Sequence, residues 1–235
     1  MNELNTTIEN LYLTFGKYTT EGIYYCDCGC VKEEDVRKLN SKPLRQLEED
    51  DLVSYYGSAL YTWGDVEHYK HYLPRICELI SSNRNYAFVN VDEIFNKLEY
   101  AQWMEWPEEE QQAIKDYVMA DWMDLVNNQT SEIGVSKLEE YGKFLGIAEL
   151  IRAWDISGLR NFVYFFYYHG NTILNGGLKI DGKNYENEFL QFIKRNDLIE
   201  KLETTFFKNE KEDEDYAEKI SVVLQIIEQE LKLKG

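Results

Sequence analysis

Along nearly the whole chain, apolar residues return every three or four positions. Leu4, Ile8, Leu11 and Phe15 set the pattern near the start, and Ile114, Tyr117, Val118, Trp122 and Leu125 repeat it later. That spacing lines one face of an α-helix and does not alternate across a strand, so it commits the chain to helices that bury a stripe against one another. Only 3 prolines and 14 glycines occur in 235 residues, too little punctuation for a many-turned β-protein.

The pattern predicts a first helix closed by Gly16 and Gly22, a short helix over Glu33–Leu39, and helices over 50–62, 66–80 and 92–103. Further helices follow from Pro107 to about 127 and over 135–145, 148–154, 159–168, 185–194, 197–207 and 215–232. Pro43 and Pro107 suit first-turn positions, where a missing N–H costs nothing. Gly64 is expected in the left-handed conformation and to end the 50–62 helix, with Asp65 capping the next one and Pro74 removing a backbone bond inside it. A hairpin is expected near 178–185, turned at Gly182. The fold class is therefore all-α: an irregular superhelix of stacked antiparallel helices with one short hairpin. It is read as a single helical domain over 1–235, with a soft joint at the charged run near 208–214. No fixed-period repeat motif is present.

The formal net charge is −18, from 43 acidic and 25 basic side chains. Nucleic-acid binding rests on neutralising phosphates with Lys and Arg, so neither nucleic acid nor an anionic membrane surface is an expected partner; a basic protein is. The start of the chain lacks a basic stretch followed by an apolar core, and the most apolar run, 162–168, is too short to span a bilayer. A cytoplasmic location is the expectation.

The stretch YYCDCGC at 24–30 holds three of the four cysteines at alternate positions. Zinc needs its sulfurs converged at about 2.3 Å, whereas i and i+2 neighbours on extended chain lie about 6–7 Å apart. Gly29 can curl the chain and bring Cys28 and Cys30 together. A zinc site would then draw on Cys26, Cys28, Cys30 and His71, with His68 or Cys77 as further candidates. Reduced thiols of structural role and redox chemistry are the alternatives. Asp27 disfavours a thiolate beside it, which weighs against a nucleophile.

Other chemistry is thinly represented. Three histidines, no G-x-S-x-G elbow, no H-E-x-x-H and no glycine-rich phosphate loop give no catalytic signature. The carboxylate runs at 108–110, 139–140 and 213–215 read as solvated faces. Asp65, His71 and Arg75 are the one cluster that a cleft can unite, since 71 and 75 share a helical face. With 18 Tyr and 5 Trp, the aromatics carry the remaining signal. The run FVYFFYY reads as a buried central helix whose tyrosine hydroxyls, with that of Tyr141, need partners or a groove.

The run PLRQLEEDDLVSYYGSALYTWGDVEHYKHYLPRICEL resembles a bacterial family of uncharacterised cytosolic proteins that shares a PLR-x-L element and a TWGD-V-x-x-x-x-H-x-LPR-x-x-E-L block. The block falls here on Thr62, Trp63, Gly64, Asp65, His71, Leu73, Pro74, Arg75, Glu78 and Leu79. A second similarity covers WPEEEQQAIKDYVMADWMDLV, and a looser one LIRAWD. The resemblance implies no established activity. Two departures weaken a metal site: the spacing of the last two cysteines, and His68 where that family has an acid.

These features point first to a non-enzymatic helical protein that binds a macromolecule, with neutralisation of a basic partner as one form of that role. A zinc-binding regulatory or structural protein is the second expectation. The third is an enzyme with a site around Asp65, His71 and Arg75. Trp63, Asp65, His71 and Arg75 are the candidate surface or pocket residues.

Overall fold

The computed structural model describes residues 3–27, 29–82, 91–128, 133–154, 158–177, 179–180 and 182–234. Among them lie twelve α-helices and one two-stranded hairpin, an all-α protein. The chain divides into two compact units, Met1–Ala120 and Asp121–Gly235. No described helix is long and apolar enough to cross a membrane.

The first unit contains α1 (Glu3–Phe15), α2 (Glu33–Leu39), α3 (Glu49–Ser58), α4 (Val66–Ser82), α5 (Val91–Tyr100) and the start of α6 (Glu108–Asn128). The helix α1 lays Leu4, Ile8, Leu11 and Phe15 against α4, all four buried. Each such side chain contributes about 1.5–3 kcal/mol of burial. Between α2 and α3, Pro43 leads into a short 3-10 turn, Leu44–Gln46. There Arg45 forks onto Glu9 of α1 at 2.8 and 2.5 Å. Pro107 works as expected: its carbonyl accepts the amides of Glu110 and Gln111 and opens α6.

One helix end differs from the sequence expectation. The helix predicted over 50–62 stops at Ser58, because Leu60 adopts φ +72° and turns the chain. The turn lets residues 62–64 pair with 24–26. Cys26 N–H donates to the Thr62 carbonyl at 2.8 Å and Gly64 N–H to the Tyr24 carbonyl at 2.7 Å. Gly64 is left-handed, φ +70°, and starts α4 instead of ending α3.

The second unit contains the end of α6, then α7 (Val135–Leu145), α8 (Ile147–Ala153), α9 (Leu159–Leu174), α10 (Glu186–Ile193), α11 (Asn196–Asn209) and α12 (Glu214–Lys234). Strands β1 (Lys179–Ile180) and β2 (Lys183–Asn184) form the hairpin, with Gly182 at φ +73° in its turn. Its centre is aromatic. Trp154 lies 5.3 Å from Phe165, 5.7 Å from Trp122 and 6.3 Å from Phe162, centroid to centroid. The helix α9 packs on α12, and α12 on α11. The expected joint at 208–214 is the end of α11, a turn over 210–213 and the start of α12; Asp213 caps α12 through the Tyr216 amide and receives Arg160 of α9 at 2.5 Å. Gly158, just before α9, sits so close to the Asn127 backbone that an added Cβ would overlap its carbonyl.

Candidate functional site

Helix α4 positions most of the residues singled out in the sequence. Asp65 caps it: Oδ1 accepts the amides of Glu67 at 3.0 Å and His68 at 3.2 Å. The same oxygen lies 2.7 Å from His68 Nδ1, and His68 Nε2 faces the Glu21 carbonyl at 3.2 Å. Burial pulls the Asp65 carboxyl upward, but the amide and ring of His68 outweigh it and hold it below its ordinary value. Asp65 therefore serves His68, one turn from His71.

His71 is half-buried and holds the Tyr18 carbonyl through Nδ1 at 2.8 Å. A carbonyl only accepts, so Nδ1 carries the hydrogen. The ring borders a cavity of about 220 Å³ beside Thr20, Lys42, Leu47 and Tyr72. Neither Asp65 nor Arg75 lines it. Arg75 donates through Nε to the Leu47 carbonyl at 2.7 Å and through Nη1 to Glu78 at 2.5 Å, while Tyr12 of α1 donates to Glu78 at 2.6 Å. Arg75 and Glu78 thus tie the LPR turn of α4 to α1 and to the PLR element. Trp63 is 1% exposed, its ring 5.4 Å from Tyr55. The structure brings Asp65 to His68, His71 to Tyr18 and Arg75 to Glu78, and it does not join the three in one cleft.

Of the proposed thiol ligands, Cys26 and Cys30 are exposed and Cys28 lies outside the described residues; Cys77 is buried in α4. Among the described residues no three His, Cys, Asp or Glu side chains are grouped to hold a metal ion. With Nδ1 spent on Tyr18, His71 has only Nε2 to offer a metal.

Several buried charges have no sign in the sequence, Glu110, Lys70 and Lys97 among them. Glu110 follows Glu108 and Glu109 in a run read as solvated, yet only the first two are exposed; Glu110 is 0% exposed. It receives Lys17 and Lys70 at 2.7 Å each and the Tyr18 hydroxyl at 2.7 Å. Burial alone would raise its carboxyl, but these partners hold it below the usual range. Lys70 also lies 4.1 Å from the Trp106 ring. Lys97 of α5 is 4% exposed, donates to the Ala59 carbonyl at 2.9 Å and sits 4.3 Å over the Tyr61 ring. Burial pushes its ammonium down to about 8. A lysine in the last turn of a helix gives no sequence sign of turning inward.

Above Lys97 lies an aromatic face. Tyr61 and Tyr100 meet at 4.9 Å and are 55% and 58% exposed. Tyr24 and Tyr25 are exposed on the segment paired with 62–64. Glu21, Asp27, Asp65, Glu67 and Glu99, their neighbours in sequence, are exposed, while Lys70 and Lys97 are turned inward. Exposed tyrosines and acids thus share these segments, in a unit with 22 Asp and Glu against 11 Lys and Arg; residues 121–235 hold 21 against 14. The tyrosines of FVYFFYY divide differently. Tyr141 is buried and donates to Asp121 at 2.5 Å, whereas Tyr168 is exposed and Tyr164 stacks on Tyr216 at 6.2 Å.

No family model, no curated protein and no solved structure matches this chain.

Proposed function

We propose that the chain is a non-enzymatic binding protein whose partner is a basic macromolecule, held at the face of Tyr24, Tyr25, Tyr61 and Tyr100. The observation that supports this reading most is the sorting of charge beside these tyrosines, with Glu21, Asp27, Asp65, Glu67 and Glu99 exposed and Lys97 turned inward against Tyr61. Exposed tyrosines supply broad contact at low entropic cost, and their ring faces attract Arg and Lys of a partner. The surplus of acids speeds the encounter with a basic protein. Blocking a basic partner by covering its charged surface is the simplest role for such a face.

The test is recovery of partners from cells of the source organism on immobilised protein, wild type beside Tyr61→Ser/Tyr100→Ser. The expected result is one basic protein at near-equal stoichiometry on the wild type, lost from the variant and released by salt. Recovery of nothing, or of the same proteins by both, refutes the reading.

A further inference from the structure

The second unit holds a pocket of about 420 Å³ between α8 and α10. That is within the range of small-molecule sites, roughly 300–1,000 Å³. Ile151 and Phe192, both buried, form its apolar floor, and Arg152, Arg195, Glu188 and Gln191 stand around it.

The arginines here differ from those that clamp helices elsewhere in the chain. Arg45, Arg75 and Arg160 each hold a carboxylate at 2.5 Å. Arg152 spends Nε on the Ala148 carbonyl of its own helix at 3.1 Å and has no acid partner among the described residues. Arg195 is fixed by donation from Nη1 to the Trp154 carbonyl at 3.3 Å, and it pairs only loosely with the exposed Asp197, at 3.7 Å through Nε. In a chain with 43 acids, two guanidinium groups left largely without carboxylates at one pocket form an anion site of the planar kind that arginine serves best. Glu188 adds one acceptor for a cationic group, and the floor offers apolar burial.

We propose that this pocket binds a free α-amino acid with an apolar side chain. The carboxylate meets Arg152 and Arg195, the ammonium meets Glu188, and the side chain covers Phe192 and Ile151. The site is independent of the tyrosine face, and either assignment stands if the other fails.

Calorimetric titration of the full chain with L-phenylalanine and with L-leucine tests this, beside 3-phenylpropionate, phenethylamine and inorganic phosphate as probes. Saturable binding of at least one amino acid is expected, with 3-phenylpropionate weaker and phenethylamine and phosphate not bound. Arg195→Gln and Arg152→Gln should each weaken binding about tenfold or more. Glu188→Gln should weaken the amino acid and spare 3-phenylpropionate. Arg195→Lys, which keeps the charge, and amide-exchange protection of α8 and α10 show whether each variant is folded. No binding of either amino acid at millimolar concentration overturns the proposal. So does binding that survives both arginine variants, equal binding of 3-phenylpropionate, or phosphate binding as tightly as the amino acid.

Discussion

The two units differ in what surrounds the residues at their centres. In the first, Glu110 is held by two lysines and a tyrosine hydroxyl, and Lys97 is enclosed with a carbonyl and aromatic rings, the charge of Glu93 only partly offsetting its burial. In the second, the centre is a slab of rings around Trp154; Asp121, Asp124 and Glu230 are buried in this unit too, Asp121 accepting the Tyr141 hydroxyl, while neutral donors serve the slab itself. Trp122 Nε1 donates to the Leu150 carbonyl at 3.2 Å, and Asn161 donates to the Leu125 carbonyl at 3.0 Å. An enclosed ion pair gains from its own attraction and loses from desolvation, and it depends on every partner being present. A ring slab gains from area and packing, so it responds to volume and not to protons. The ring slab around Trp154 should therefore answer to cavities and not to pH, whereas the enclosed Glu110 and Lys97 of the first unit should answer to the loss of a partner or a proton.

The largest expected effects test both halves of that statement. Glu110→Gln leaves Lys70 buried without its countercharge and should cost about 3–5 kcal/mol, much of it recovered by adding Lys70→Met. Trp154→Ala opens a cavity and should cost a similar 3–5 kcal/mol, unchanged between pH 6 and 9. Denaturant unfolding read by residue-level amide exchange checks each. If Glu110→Gln is tolerated, or if the cost of Trp154→Ala follows pH, the contrast is broken.

A smaller effect follows from Lys97, whose folded-state value of about 8 lies below the ordinary 10.5. Below pH 8 the folded and unfolded chains both hold the proton, and the cost of burying it is carried in full. Between about 8 and 10.5 the unfolded chain keeps a proton that the folded chain has lost, so stability rises with pH, by at most about 3 kcal/mol. Lysines 17, 42 and 219, held above their ordinary value by hydrogen bonds to acids, titrate beyond that window. Tyr12, Tyr18, Tyr55, Tyr69 and Tyr72, held above their ordinary value by burial, act in the opposite sense at higher pH. Below that range, urea midpoints from pH 7.5 to 9 should climb in the wild type and stay level in Lys97→Met; a flat wild-type profile would show that the ammonium reaches water.

The smallest effect concerns the cap of α4. Asp65→Ala should cost about 1 kcal/mol and Asp65→Ser much less, because serine still accepts the first-turn amides. Equal costs would mean that the contact with His68, and not the cap, is what matters.

Helical period and capping chemistry are written locally, and those parts of the structure were legible. The helices over Glu33–Leu39 and Val135–Leu145 fall where spacing put them, and Gly182 turns the hairpin. The end of α3 was not legible, because Leu60 leaves the helix to allow pairing between residues 24–26 and 62–64, far apart in sequence. The capping role of Asp65 was readable from Gly64-Asp65; the partners of His71 and Arg75 were not, since the carbonyls of Tyr18 and Leu47 have no side-chain signature. Glu110 was misread for a related reason. Three adjacent glutamates at a helix start look alike until the helix turns one of them toward Lys70. The pocket between α8 and α10 joins Arg152 to Arg195, a pair that no local motif connects.

Gly158 has a meaning beyond packing. Where a backbone lies against a backbone, even a methyl group is excluded, and the position loses its freedom to drift. Most residues of an α-helical core can be exchanged for others of similar volume, so ancestry fades from them quickly. A glycine pressed onto Asn127 cannot be exchanged without moving the entry to α9. In any distant relative that keeps this second unit, a glycine standing one residue before a phenylalanine-rich helix should outlast the surrounding sequence, and serve as a marker of descent when overall similarity is gone.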